Sequence, residues 1–518
     1  MGNTRRQVAK AATVIMIISV LGKLIGFFRE QVIASQFGAT GLTDAYVAAY
    51  TVPQMLSGLI GGTIGTAFLP AFMSLMAGED RREGWGLLTV TFRLTLVLLV
   101  AVSLLAFVAA PPVVSLLVPN FGAEQKALTV QMLRIMLPGV AFMGLSSLLV
   151  SMLNSFKQFA GPALGPLVMN VGIIGLAITL ADRWGVVGLA WATLGGSALQ
   201  FVFLGWQVKR RRVSFSIKAR RGHPGLRQVL FLAGPMVVGA LFGQLYLFVD
   251  KGVASGLEAG SIAALNYALK LTQLPVGIFV MALATAIYPT LAEYAGQNDR
   301  AGVAKAVGSG VRLLSLVMVP AAVGLIVLRV PIVRLAFERG SFDGQATLQT
   351  ATALAYYAIG LLGVSNLPVL ARAFYSLQDS VTPVKVGIAT ALCNILLDVL
   401  LVKPLGHGGL ALANSLAQLG SMCLLIWLLR QKTSHSLGCA GALGKILAAS
   451  GVMGLAVYFA HPVLSRFGQI VALGGAVALG LVVYLAVISL LGVEELDKLM
   501  AVAKRRLGLR FKEQMKVA

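Results

Sequence analysis

GKLIGFFREQVIASQFGATGLTDAYVAAYTVPQMLSGLIGGTIGTAFLP, from Gly22 to Pro70, reads as two apolar helices with charges set inside them. Lys23, Arg29 and Asp44 are the residues to explain. A charged side chain near the centre of a bilayer costs about 2.5–3.5 kcal/mol even on the gentlest scale, so it normally faces a bundle interior or a wet cavity. A polar cavity within a membrane is the first expectation.

The remaining chain has the same character. Of its 518 residues 58% are hydrophobic and 12% charged, against roughly 25% charged in a soluble domain. The apolar runs are long and continuous instead of alternating, which disfavours a β-barrel and indicates helices. At about 20 apolar residues per span, the length accommodates twelve to fourteen of them. Runs near 11–28, 43–76, 85–109, 130–153, 161–180 and 185–206 are followed by runs near 228–250, 261–292, 303–328, 349–375, 382–402 and 408–429, then 441–460 and 468–492. The amino-terminal run follows a basic start but lacks a small-residue cleavage site, so it reads as the first span and not a signal peptide.

The net charge of +23 invites a nucleic-acid reading, but its distribution opposes one. Lys and Arg cluster in short segments between apolar runs, above all Lys209–Arg227 and Lys504–Lys512. Such clusters mark cytoplasmic loops under the positive-inside rule and attract anionic lipid heads. Together with Arg5, Arg6, Lys10, Arg81, Arg82, Arg300 and Lys305 they place both termini in the cytoplasm. Cys393, Cys423 and Cys439 form neither a disulfide framework nor a zinc motif. There is no P-loop and no GxSxG, which argues against an ATP-driven pump or a serine hydrolase, and no enzyme is expected.

An internal repeat organises the spans. FFREQVIAS at Phe27–Ser35 aligns with LFVDKGVAS at Leu247–Ser255, FLPAF at Phe68–Phe72 with IYPTL at Ile287–Leu291, and VGLAWAT at Val187–Thr193 with GGLALAN at Gly408–Asn414. One shift of about 220 residues runs through six spans. Two homologous six-helix lobes follow, and because six is even they share one orientation, with a site expected between the repeats near the midplane. The fold class is thus an all-α polytopic membrane protein of about fourteen transmembrane helices, two lobes around a central cavity plus two extra C-terminal helices. The divisions are 1–208 for the first lobe, 209–227 for a basic cytoplasmic linker, 228–430 for the second lobe, and 431–518 for the extra helices and a basic tail.

Lys23 and Arg29 are six residues apart, about 240° around an ideal helix, so they share a face only if the helix bends. Asn266, Lys270 and Gln273 do share a face. A central cavity would gather Lys23, Arg29 and Lys270 against one acid, Asp44, and such a cavity suits an anion, a diphosphate being the obvious type. The competing reading makes Arg29 and Glu30, like Asp250 and Lys251, interfacial charges that snorkel to water. A second polar set, Asp250, Asn394, Asp398 and Asn414, supplies hard oxygen ligands for sodium or a proton. Its competitor pairs Asp398 with Lys403 at a helix end. In the loop Tyr375–Lys385, Thr382 is the expected helix cap before Pro383.

Leu21–Leu56 and Gly65–Met76, with ALNYALKLTQLPVGIF at Ala264–Phe279 and ARAFYSLQDSVTPVKV at Ala371–Val386, resemble the MurJ (MviN) family of lipid II flippases. That family lies within the multidrug/oligosaccharidyl-lipid/polysaccharide exporter superfamily. The resemblance implies movement of an undecaprenyl-diphosphate-linked disaccharide-pentapeptide from the inner to the outer leaflet of the bacterial cytoplasmic membrane by alternating access. It implies that Lys23, Arg29, Asp44 and Lys270 occupy the positions of functional cavity charges, and that 441–492 forms a groove for the lipid tail. It implies too that Asp250, Asn394, Asp398 and Asn414 resemble a sodium site, and that cell-wall synthesis proteins are the protein partners. Four positions depart from the Gram-negative pattern: lysine stands for arginine at 23 and 270, Ser57 for another arginine, and Gln273 for glutamate. Lysine keeps the charge but loses the planar fork that grips phosphate with two bonds. A flippase for another polyprenyl-diphosphate glycan is the nearest alternative. A cation-coupled multidrug antiporter, which expects an acidic cavity, and a non-transporting scaffold are more distant.

Overall fold

The structure is a computed structural model that describes residues 2–77, 81–156, 158–210, 224–493 and 495–496. Most of the basic linker and tail anticipated from the sequence lies outside these residues. The described chain is helical, with no strand among its residues. The helices are α1 (Gly2–Phe37), α2 (Gly41–Ser57), α3 (Thr63–Ala77), α4 (Arg81–Val108), α5 (Ala110–Leu117), α6 (Ala123–Met136), α7 (Gly139–Ser155), α8 (Ala160–Lys209) and α9 (Pro224–Ala254). They continue with α10 (Ser261–Gly296), α11 (Arg300–Val327), α12 (Arg329–Phe337), α13 (Gly344–Ile359), α14 (Leu361–Ser376), α15 (Val381–Leu405), α16 (His407–Thr433), α17 (Ala440–Leu464) and α18 (Gln469–Leu490).

Ten helical segments among the described residues are long and apolar enough to cross a membrane, or up to twelve if two bent pairs, α6 with α7 and α13 with α14, each make one span. That test counts α8 once, although its fifty residues break at Gly185, where φ 55 and ψ −140 leave the helical region. Unbroken, it would measure about 75 Å, far beyond a hydrocarbon core of roughly 30 Å.

Two compact units emerge. The first comprises Met1–Leu274, Ala336–Ala353 and Ala391–Ala413; the second comprises Pro275–Leu335, Leu354–Thr390 and Asn414–Ala518. In the first, Phe68, Phe72, Leu148, Met152 and Leu204 from α3, α7 and α8 centre one apolar cluster. A five-residue π-helical turn, Gly58–Gly62, separates α2 from α3. There α7 lies so close that a Cβ added to Gly61 would stand 2.3 Å from the Gly144 Cα. In the second unit, Leu316, Val319, Ile446, Met453, Tyr484 and Ile488 join α11, α17 and α18.

Two turns in the second unit repeat one device. Asn298 and Gln378 adopt φ 55 and 60, and the aspartate after each caps the next helix. Asp299 Oδ1 accepts from the Gly302 N–H at 2.8 Å, and Asp379 Oδ1 from the Thr382 N–H at 3.0 Å. Asp379, not Thr382, is therefore the cap at the Tyr375–Lys385 turn. An aspartate can reach the N–H three residues on, and here it also accepts from the Thr382 hydroxyl at 2.7 Å.

Candidate functional site

Lys23, Arg29 and Glu30 of α1 line a cavity of about 540 Å³ inside the first unit, together with residues of α2, α8, α9 and α10. Lys23, Arg29, Lys270, Gln273 and Asn266 are all in its wall, as the sequence suggests. Glu30, Lys251, Tyr46, Tyr50, Gln54 and Asn170 join them. Four cations and one carboxylate thus face the same space.

α1 achieves this without a break. Lys23, Gly26, Phe27 and Glu30 follow the i, i+3, i+4, i+7 stripe of one helix face, and all four line the cavity. Arg29 stands off that stripe and reaches in with its long side chain. Its Nη1 donates to Asn170 Oδ1 of α8 at 3.0 Å, and its Nη2 pairs with Glu30. Gly26 lets α8 come close, since an added Cβ would meet Asn170 Nδ2 at 3.4 Å. From α10, Asn266 Nδ2 donates to the other Glu30 oxygen at 3.3 Å, and Lys270 is within electrostatic reach of Glu30, Arg29 and Lys23.

Snorkelling does not describe these side chains. Arg29 and Glu30 are 11% and 5% exposed, and Lys251 and Asp250, 3.9 Å apart, are 12% and 16% exposed. Sequence reading missed Glu30 and Lys251 as cavity residues because a charge near a helix end looks the same whether it turns inward or outward. The available signal was the repeat, which aligns Glu30 with Asp250 and Gln31 with Lys251.

Asp44 is buried but is not in the cavity wall. Its Oδ2 accepts from the Gly260 N–H and its Oδ1 from the Ala263 N–H, both at 2.7 Å. It therefore caps α10 from another helix, where the free N–H groups and helix dipole favour an anion. Around it the α1–α2 turn is clamped by backbone. The Ser341 N–H donates to Ser35 O at 2.8 Å and the Tyr267 hydroxyl to Gly38 O at 3.2 Å. A Cβ on Gly260 would lie 2.1 Å from Ala39 O, so the chain closes tightly at this end. Ser57 is also outside the wall; its hydroxyl donates to Gln54 O at 3.0 Å, satisfied within its own helix.

Of the candidate cation ligands, Asp250, Asn394 and Asp398 belong to the first unit and Asn414 to the second. Asn394 Nδ2 donates to Asp398 Oδ1 at 3.1 Å, so Asn394, not Lys403, is the partner that carboxylate takes. Asp398 Oδ2 is buried without a partner, and Asp250 is within electrostatic reach. Two carboxylates and an amide oxygen are the hard donors a small monovalent cation accepts. No cluster of three or more His, Cys, Asp or Glu able to hold a metal occurs among the described residues. His407 bonds Gln349 O at 3.0 Å instead.

In the second unit an apolar groove of about 520 Å³ runs between α11, α17 and α18, lined by residues such as Leu316, Gly324, Val457 and Leu481. Tyr484 stands in it with its hydroxyl bonded to Leu316 O at 2.8 Å.

Residues 33–477 match the family profile described as lipid II flippase MurJ. The lipid II flippase MurJ of Burkholderia cenocepacia is 31% identical over 421 residues, covering 79% of this chain and 81% of that protein. The probable lipid II flippase MurJ of Synechocystis is 29% identical over 471 residues, 88% of each. A solved structure of a lipid II flippase MurJ in an inward closed conformation superposes with a TM-score of 0.79 at 26% identity, covering 92% of this chain and 98% of that one. An inward-facing multidrug resistance MATE transporter shares the fold alone, with a TM-score of 0.71 at 16% identity over 82% of this chain and 98% of that one.

Proposed function

The chain belongs to the lipid II flippase MurJ family, and from that premise we propose that it carries lipid II, a polyprenyl-diphosphate-linked peptidoglycan precursor, from the inner to the outer leaflet. The observation that supports this substrate is the basic wall, in which Lys23, Arg29, Lys251 and Lys270 face one space with Glu30 as the lone carboxylate. Hydrogen bonds to charged groups contribute about 1.5–3 kcal/mol each where water is excluded, so three or four ammonium and guanidinium groups suffice to hold a diphosphate. The lysines act as point charges that tolerate several phosphate poses, whereas Arg29 is fixed by Asn170 and Glu30. The superfamily's drug exporters share the fold, but a basic wall repels the cationic drugs an antiporter of that kind would take.

In this reading the two repeats, 1–208 and 228–430, are the bodies that alternate access, with 209–227 joining them, and 431–518 adds α17 and α18. The groove at Leu316, Gly324 and Tyr484 takes the polyprenyl tail, with both termini in the cytoplasm. Substrate drives the change of state only through its different affinity for the two states. Asp250, Asn394 and Asp398 would hold a sodium ion or a proton whose gradient resets the carrier. An inside-negative potential also favours outward movement of anionic charge, by about 2.3 kcal/mol per charge per 100 mV. Enzymes that make and consume the lipid are the expected protein partners.

The test is complementation. Cells depleted of their own flippase and supplied with the Arg29→Ala variant should fail to grow and should accumulate the precursor inside. Normal growth, with the variant at wild-type abundance, removes the role. Which intermediate accumulates separates lipid II from another polyprenyl-diphosphate glycan.

A further inference from the structure

Outside the central cavity, a groove of about 890 Å³ lies in the first unit between α4, α5, α6 and the second half of α8. It sits at the end where α1 turns into α2, since the Gln125 side chain at the start of α6 donates to Gly41 O at 2.8 Å. Its charged wall residues are Lys126 and Arg134, with no carboxylate among its lining residues. Each is held by a backbone carbonyl instead of an acid. Lys126 Nζ donates to Pro119 O at 2.6 Å and Arg134 Nε to Phe107 O at 3.3 Å, with the guanidinium 5.2 Å from the Phe107 ring centroid. Carbonyls orient the two cations without cancelling their charge.

The surroundings specify the kind of anion. Leu104, Leu105, Val108 and Leu116 beside the groove are between 63% and 77% exposed, which identifies the neighbouring medium as hydrocarbon. Trp184 and Trp191, 53% and 43% exposed with ring centroids 6.2 Å apart, mark the level of the headgroups. The groove therefore offers two uncompensated positive charges at headgroup depth above an apolar wall.

We propose that this groove binds an anionic glycerophospholipid, with its phosphate between Lys126 and Arg134 and an acyl chain along Val187 and Trp191. A zwitterionic lipid presents the same phosphate but carries its own cation to the same place, so charge complementarity selects the anionic headgroup. With the termini in the cytoplasm the site faces the outer leaflet.

The experiment uses the full-length purified protein with phosphatidylglycerol and phosphatidylcholine added together, and native mass spectrometry counts the lipids retained. Wild type should retain phosphatidylglycerol preferentially. The double variant Lys126→Gln/Arg134→Gln should lower that preference about thirtyfold, as expected for two basic groups near an anionic headgroup. Lys126→Arg/Arg134→Lys, which keeps both charges, should retain it. Equal retention of the two lipids by wild type, or an unchanged preference in the Gln variant, overturns the proposal. Photoactivatable phosphatidylglycerol on unmodified protein supplies an arm that needs no variant. Adducts in 107–138 and 184–194 support the site, and adducts confined elsewhere, or retention of a lipid-linked diphosphate alone, refute it.

Discussion

Among single residues, Asp44 and Lys270 separate two kinds of buried charge. Asp44 is committed to two backbone N–H groups of another helix, so its replacement acts first on stability. Asp44→Ala should cost about 1–3 kcal/mol, the penalty for losing a cap and leaving buried donors unmet. A lowered melting temperature with pyrophosphate affinity within twofold of wild type is the expected result. Lys270 faces the cavity, and Lys270→Ala should do the reverse, weakening pyrophosphate binding about tenfold while the melting temperature holds. Isothermal titration and thermal unfolding on the same samples measure both. Lys270, Lys23, Asn266 and Gln273 were legible in the sequence because a polar side chain deep in an apolar run is costly unless it turns to a wet interior. The capping role of Asp44 was not, because its donors lie 216 and 219 residues away in the chain. No local pattern carries such a pairing.

Between elements, close backbone approach and the aspartate caps decide where helices meet. Gly61 and Gly144 allow α3's entry turn to touch α7, and a Cβ at Gly61 would lie 2.3 Å from Gly144 Cα. Gly61→Ala should therefore lower stability by about 1–3 kcal/mol, as overpacking does, whereas Gly62→Ala, with open space around its Cβ, should change it little. Thermal unfolding compares the pair. At the α14–α15 turn, the Lys432 ammonium 2.6 Å from Asp379 and the Thr382 N–H hold the Asp379 carboxyl below its ordinary range. A depressed carboxyl stabilises the fold above the unfolded-state value of about 3.9 and loses that contribution as pH falls below it. The melting-temperature gap between wild type and Asp379→Asn should be constant from pH 5 to 7 and shrink below about pH 4. Sequence named this turn but chose Thr382 as its cap, because Ser, Thr and Asp signals three residues apart compete and only the backbone path decides between them.

For the molecule as a whole, the all-helical membrane fold could be read from the continuous apolar runs, and the family from a few motifs. The break of α8 at Gly185 was legible too, since runs 161–180 and 185–206 are separate in the sequence, but the number of spans was not, because the bent pairs α6–α7 and α13–α14 each make one span or two short helices. The apolar groove of the second unit supplies a test at this scale. Gly324 lines it with nothing within 4 Å of an added Cβ, so Gly324→Phe should fold normally and fill the space. Binding of a long-chain polyprenyl diphosphate should then weaken several-fold while that of pyrophosphate is unchanged; equal effects on both would remove the tail from this groove. Finally, Arg29 already holds a carboxylate before any phosphate arrives. An incoming headgroup must take the guanidinium from Glu30, and Glu30 is there to take it back. A resident rival of this kind sets a ceiling on grip, and a carrier that must release its cargo once per cycle works better under such a ceiling than without one.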